Sequence, residues 1–264
     1  MSATSHPALS PSPILVVARH ELRALWLSAK GLTVLFGYVL LLSVLSYVAA
    51  TDAALNLLDA RESVGIVVQV AIGLSTLAAL VVSSDMISGE RERDTLEALL
   101  VTPVPRRALV IGKMAAASSM WLIGIIVAVP YVISLADGPG VTGDAVFVLG
   151  AAGSLVGMAL TAMGMAISAL SMSNRVSVAA SVGILLILAA PSQLPAITAN
   201  GGLGSILIAS NPVSAGLKLA GLVLIDQKPL ADQWHLLISP VVAVGVMTFL
   251  AIRLSSRVRL GGAR

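Results

Sequence analysis

The stretch MAAASSMWLIGIIVAVPYVISLA, residues 114–136, has no charged side chain from one end to the other. About 20 helical residues are enough to cross the hydrocarbon core of a bilayer, so this stretch predicts a membrane-spanning helix. Comparable uncharged runs lie at residues 31–50, 64–84, 145–174, 176–217 and 236–252. Together they predict an all-α polytopic membrane protein. Its six spans are expected at about residues 31–50, 64–86, 112–136, 145–170, 176–198 and 236–254.

The composition excludes an ordinary soluble domain. Hydrophobic residues make up 57% of the chain and charged residues only 11%, whereas soluble domains carry about 25% charged residues. Polar residues inside the runs are mostly Ser, Thr and Gly, which leave no water-facing stripe and are tolerated between helices in lipid. The absence of cysteine excludes disulfides and thiolate metal sites. Residues 1–13 are expected to be a disordered tail, and residues 14–264 a single transmembrane domain.

The distribution of Lys and Arg predicts how the spans are oriented. With six spans and both termini in the cytoplasm, 13 of the 16 basic residues lie inside and three outside. Those inside are Arg19, Arg23, Lys30, Arg91, Arg93, Arg106, Arg107, Lys113, Arg175, Arg253, Arg257, Arg259 and Arg264; those outside are Arg61, Lys218 and Lys228. This positive-inside asymmetry predicts a multi-pass protein of the cytoplasmic membrane. The net charge of +3 follows from that orientation and does not indicate nucleic-acid binding.

The uncharged run at residues 176–217 is too long for one span. A second crossing within it would place the basic C-terminus outside and Lys218 inside a span, where a lysine costs about 2.5–3.5 kcal/mol. The sequence ANGG that begins at Ala199 and the pair Asn211-Pro212 favour turns. The run therefore predicts a fifth span at residues 176–198, followed by external half-helices that lie in or dip into the outer leaflet.

The segment ILVVARHELRALWLSAK, residues 14–30, forms an amphipathic pattern before the first span. An apolar face is predicted for Leu15, Ala18, Leu22, Leu25 and Trp26, with Arg19, His20, Arg23 and Lys30 largely opposite. Such a helix either lies in the interface of an anionic leaflet or is a basic flank of the first span. Both interpretations place it on the cytoplasmic side.

The stretch SGERERDTLEALLVTPVPRRALVIGK, residues 88–113, concentrates charge in an otherwise apolar chain. It falls in the predicted cytoplasmic loop between spans two and three, residues 88–112. Asp94 and Glu97 form a capping-box-like helix start, and Leu96, Leu99 and Leu100 follow as an apolar ridge. Pro103 ends this short helix. A capped helix with an apolar ridge and a charged rim is suited to docking into a groove on a cytoplasmic partner.

At these residues the chain resembles the six-span permease subunits of type-2 ATP-binding-cassette (ABC) transporters. The matching residues are Glu90, Arg91, Glu92, Thr95, Leu96, Glu97, Leu99, Leu100, Thr102, Pro103, Arg106, Arg107, Gly112 and Lys113. Asp94 stands where the family pattern has glycine. The opening ARHELRAL, the count of six spans and the external Asn211-Pro212 segment are similar to the family more weakly.

The resemblance implies an exporter subunit that dimerises with itself or with a sister permease and binds an ABC ATPase. ATP and Mg²⁺ would be bound by that ATPase, and no cofactor by this chain. The segment that would couple the two subunits contains Glu90, Arg91, Glu92, Asp94, Thr95, Leu96, Glu97, Leu99, Leu100, Pro103 and Arg106. From the residues alone, an enzyme is not expected. The sequence up to Gly112-Lys113 lacks the first glycine of a phosphate-binding loop, and Met114 replaces its Ser or Thr.

Two other classes of function are alternatives: an ion-coupled secondary transporter and a non-transporting anchor or assembly factor. An ion-coupled secondary transporter would need charges buried in the spans, which the runs lack. A non-transporting anchor or assembly factor would use the same cytoplasmic loop to tether a protein. The uncharged spans offer no basic pocket for an anion, and they are compatible with a hydrophobic or amphiphilic drug, a lipid, or a substrate that an additional subunit handles. Gly153 and Gly157 predict close helix packing, either within one subunit or between two.

Overall fold

The computed structural model describes residues 12–54, 59–95, 104–193 and 203–255. These residues form helices and connecting turns, with no strand among them. The helices are α1 (Pro13–Trp26), α2 (Ala29–Ala54), α3 (Ala60–Asp85), α4 (Ser88–Glu92), α5 (Arg106–Ala136), α6 (Thr142–Leu170), α7 (Asn174–Gln193), α8 (Leu203–Ser210), α9 (Pro212–Ala220) and α10 (Ile238–Ser255). A π-helical turn, Gly221–Ile225, and two 3₁₀ turns, Leu230–Asp232 and Trp234–Leu237, connect α9 to α10.

Six of these helices are long and apolar enough to cross a membrane. They are α2, α3, α5, α6, α7 and α10, and they correspond in order to the six predicted spans. The all-α polytopic fold predicted from the sequence is therefore confirmed. The fifth span is described as far as Gln193, and its predicted end at residue 198 lies outside the described residues.

Spans two and four form the centre of the bundle. They are the most buried of the six, whereas spans one, five and six expose most of their surface. Small residues permit the close contact: a side chain at Gly164 would lie 2.9 Å from the carbonyl oxygen of Leu80. Close approach of backbones between small residues is the usual way in which helices associate in lipid.

Gly153 and Gly157 lie inside this subunit. A Cβ atom at Gly157 would lie 2.7 Å from the ring of Trp121, and one at Gly153 would lie 3.0 Å from Ile125. Both contacts join span four to span three, and both glycines are buried. Of the two interpretations, the structure therefore supports packing within the subunit.

The segment between spans five and six forms a hairpin of two half-helices, α8 and α9. At its tip, Asn211 accepts hydrogen bonds from the N–H groups of Val213 and Ser214, which caps α9. The Asn211 amide also donates to the carbonyl oxygen of Leu188 at 2.6 Å. Gly216 packs on Val156, at the middle of span four, so the hairpin reaches the middle of the bundle. The two half-helices predicted from the sequence are therefore present, and their external position stays a prediction. At the break between them Ser210 is exposed, Asn211 and Pro212 are half-buried, and the Asn211 side chain supplies the hydrogen bonds that the broken backbone needs.

Candidate coupling site at the helix ends around α4

The helix α4 is anchored to span four at its first residue. The backbone N–H groups of Ile87 and Ser88 both donate to the hydroxyl of Ser168, at 3.0 and 2.9 Å. The Ser88 hydroxyl donates to the carbonyl oxygen of Ser84 at 2.7 Å, and the Ser177 hydroxyl of span five donates to the same oxygen at 2.7 Å. The turn from span two into α4 is therefore buried and bonded to spans four and five.

Arg91 and Glu92 bind the facing ends of spans four and five. The Arg91 guanidinium donates to the carbonyl oxygens of Ser171 and Ala169, at the C-terminal end of span four. The Glu92 carboxylate accepts a hydrogen bond from the N–H of Asn174, the first residue of span five, at 3.1 Å. A cation at a helix C-terminus and an anion at an N-terminus satisfy the unpaired backbone groups and the helix dipoles.

Asp85 joins α4 to the first span. It is the last residue of α3, and its carboxylate accepts from Arg93 at 3.3 Å and pairs with Lys30 near the start of α2. The side chain of Asp85 is mostly buried, while Lys30 and Arg93 are largely exposed. Asp85 is therefore a helix-end charge that ties spans one and two to the residue after α4.

The most buried charge at this site is Lys113 of span three. Its ammonium group donates to Glu21 of α1 at 2.6 Å and to Glu90 of α4 at 2.5 Å, and its side chain is only 1% exposed. Burial raises the pKa of the Glu90 carboxyl above its ordinary value of 4.5, and the attraction of Lys113 offsets only part of this rise. Glu21, Lys113 and Glu90 therefore link α1, span three and α4.

The helix α1 packs along the N-terminal part of span three. Ala18 and Leu25 are buried, and the Trp26 indole N–H donates to the hydroxyl of Ser119 at 2.9 Å. Gly112 provides room for this approach, because a Cβ atom there would lie 2.7 Å from Val17. The face predicted to be apolar is mainly the packed face, although Leu15 is exposed. The predicted basic face is exposed at Arg19, His20 and Arg23.

Asp94 has a different role from the one predicted. Its N–H donates to the carbonyl oxygen of Arg91, and the N–H of Thr95 donates to that of Glu90, a pattern that closes the C-terminal end of α4. Asp94 has a φ of 56°, in the left-handed region that favours glycine. A helix start would have an extended backbone instead. Glycine at this position in the family pattern therefore matches the observed backbone.

The described residues divide the predicted coupling segment in two. Glu90, Arg91, Glu92, Asp94 and Thr95 lie together in and after α4, and Arg106 begins α5. Leu96, Glu97, Leu99, Leu100 and Pro103 lie outside the described residues.

Neither Glu21 nor Lys113 was among the coupling residues predicted from the sequence. Two signals were present. Lys113 belongs to the matching family pattern, and Glu21 lies on the same helical face as Ala18, Leu22 and Leu25, an unusual position for a carboxylate.

This geometry defines a polytopic membrane protein in which one short charged helix joins the ends of several spans on one side of the bundle. The family model described as "ABC-2 family transporter protein" matches residues 16–260. The chain therefore belongs to the ABC-2 transporter family, as the resemblance in the charged stretch predicted. A comparison with curated proteins found no match.

Proposed function

We propose that the chain is the permease subunit of an ABC exporter and that α4 transmits the movement of a separate ATPase subunit to the spans. Family membership supports the pairing with an ABC ATPase. The predicted topology, which places α4 in the cytoplasm, supports the side on which the ATPase would bind. The permease would act as a homodimer or as a heterodimer with a sister permease.

One observation carries this proposal: residues 85–93 are bonded to five spans. Asp85 ends span two and pairs with Lys30 of span one. Glu90 binds span three, Arg91 the end of span four and Glu92 the start of span five. A displacement of α4 would therefore be passed to all five helix ends at once. A loop that only connected spans two and three would not need these contacts.

The chemistry of the transport cycle would be divided between the two subunits. The partner would bind and hydrolyse ATP with Mg²⁺, and this chain would supply the docking surface and the substrate pathway. The ridge of Leu96, Leu99 and Leu100 would face the ATPase, directly after the anchored part of the segment. Anchored and docking residues would then be neighbours in the chain, which suits the transfer of force.

A tethering role is the alternative that shares the same docking surface. The two proposals differ in what the anchored residues must do. Tethering needs only the ridge, whereas coupling also needs the contacts of α4 with the span ends. A variant that keeps the ridge but loses one of these contacts therefore separates them.

The test uses the full chain in nanodiscs with the candidate ABC ATPase. Leu96→Asp is expected to abolish ATPase binding. Glu92→Gln, which weakens the contact with Asn174 but leaves the ridge intact, is expected to retain binding and to lose most of the stimulation of ATP hydrolysis. Asp232→Asn, on the predicted external side, is the matched control for removal of a carboxylate.

Two outcomes would contradict the proposal. If Glu92→Gln stimulates hydrolysis as well as wild type, the contacts of α4 do not couple, and tethering is favoured. If wild type neither binds the ATPase nor alters its rate, the segment at residues 88–113 only holds the spans together and does not couple them to an ATPase. The direction of transport is tested separately, by ATP-dependent loss of substrate from cells and uptake into inside-out vesicles.

A further inference from the structure

A cavity, called the Lys218 cavity below, lies at the end of the bundle opposite to α4, between span two, the end of span five and the hairpin of α8 and α9. Its volume is about 410 Å³, within the range of small-molecule sites. The polar residues that line it are Gln69, Ser192, Gln193, Lys218, Asp226 and Lys228. By the predicted topology this cavity opens to the external side, about a membrane thickness away from α4.

Gln69 places an amide deep in span two. It lies nine residues after Ala60, so it is about 14 Å along the helix from the external end of α3. Within the described part of the chain its side chain has no hydrogen-bond partner. Gly221 lies against it, because a Cβ atom there would be 3.4 Å from the Gln69 amide nitrogen. Gly221 also begins the π-helical turn, an irregularity that is frequent at functional sites.

Lys218 gives the inner part of the cavity a positive charge. It lies six residues after the start of α9 and is half-buried. No described residue pairs with its ammonium group. Asp226 and Lys228 are exposed at the mouth, where their charges oppose each other. A lysine that contacts only lipid headgroups would point away from the bundle. Lys218 instead lines a cavity whose other walls are residues of spans two and five.

We infer that this cavity binds the anionic group, a carboxylate or phosphate, of a small molecule or lipid. A partly desolvated ammonium and the amide N–H groups of Gln69 supply donors that such an oxyanion needs. The amide of Gln193 is exposed and donates to the Ser192 hydroxyl at 3.4 Å. A polar group at membrane depth requires either a partner or a water-filled cavity, and an anion would satisfy Lys218 and Gln69 together. This site could not be predicted from the sequence, because its residues come from separate helices and the spans themselves are uncharged. It does not depend on the coupling role of α4.

The chain has no cysteine, so single cysteines can probe the cavity in the full-length protein. Ser192→Cys would place a thiol on its wall, and Ala231→Cys, at an exposed external position, is the reference. The protein is placed in nanodiscs of zwitterionic lipid and treated with thiosulfonate reagents that carry either a sulfonate or a trimethylammonium group. Relative to the reference, Ser192→Cys is expected to favour the anionic reagent about tenfold.

Variants assign the preference to Lys218. Lys218→Gln is expected to abolish it and Lys218→Arg to retain it, which separates charge from folding. Arg61→Gln removes an external cation outside the cavity and should leave the preference unchanged. Equal rates for the two reagents, or a preference that survives in Lys218→Gln, would overturn the inference.

Protection of the Ser192→Cys thiol tests binding itself. Protection by inorganic phosphate supports a site for a free oxyanion. Protection by dodecyl phosphate alone supports the headgroup of an amphiphile. Dodecyl maltoside is the neutral control. If neither phosphate compound protects the thiol, the cavity is not an anion site.

Discussion

Replacement of Lys113 by methionine tests the buried ion group on which the site around α4 depends. Lys113 is 1% exposed, and the side chains of Glu21 and Glu90 are 13% and 16% exposed. Lys113→Met would keep the shape of the side chain but leave two carboxylates buried together without a cation. Loss of one partner from a buried ion group costs about 3–5 kcal/mol, since the remaining charge is neither solvated nor paired. For a chain of this size, this corresponds to a fall in Tm of roughly 6–20 °C.

The measurement is thermal unfolding of the purified protein in detergent. Lys30→Met is the matched control, because this lysine also pairs with a carboxylate but is 44% exposed. Asp85 is mostly buried but keeps its contact with Arg93 in this variant. Loss of a pair with an exposed lysine then costs about 0–1 kcal/mol, so this variant should lower Tm by less than about 4 °C. The triple variant Glu21→Gln/Glu90→Gln/Lys113→Met removes all three charges and should recover most of the lost stability.

Two results would refute this reasoning. If Lys113→Met and Lys30→Met lower Tm equally, burial of Lys113 does not determine the cost. If the triple variant is no more stable than Lys113→Met, the loss comes from packing, and the uncompensated carboxylates do not cause it.

Three further predictions concern single residues. Burial raises the pKa of Glu90, so the contribution of this carboxyl to stability is fully present below pH 4.5 and is lost as pH rises through the raised pKa. The difference in unfolding free energy between wild type and Glu90→Gln should therefore decrease with rising pH. A constant difference in denaturant titrations would contradict this. Gly157→Ala should cost about 1–3 kcal/mol by crowding Trp121. Gly150→Ala in the same helix is the control: a Cβ atom there has nothing within 4 Å, and alanine is the better helix former, so thermal unfolding should show no loss. Equal losses in the two variants would contradict the contact with Trp121 as the cause. Asp94→Gly should stabilise the end of α4 by about 0.5–1 kcal/mol, because glycine adopts the positive φ at position 94 without strain. Slower hydrogen exchange of the Thr95 amide should accompany this gain. Faster exchange would mean that the Asp94 side chain stabilises the turn.

Several features followed from the sequence because they depend on local composition. The spans were predictable since the free energy of insertion is roughly a sum over neighbouring residues. The break at Asn211-Pro212 was predictable since turn chemistry is local, and the structure places Asn211 as the cap of α9. The role of Asp94 was not, because an aspartate suits both a helix start and the left-handed turn after a helix, and only the backbone decides between them.

By itself, then, the sequence determined the membrane class, the six spans, the half-helices between spans five and six, and the charged segment that identified the family. Only the tertiary structure decided which charges meet. Lys113 binds Glu21, which lies 92 residues away in the chain. The Lys218 cavity combines Gln69, Ser192 and Lys218 from three separate helices. The physical reason is that the energy of a charge depends on its distance from partners and on its removal from water. Both quantities are set by how the helices pack, and no window of the sequence contains them.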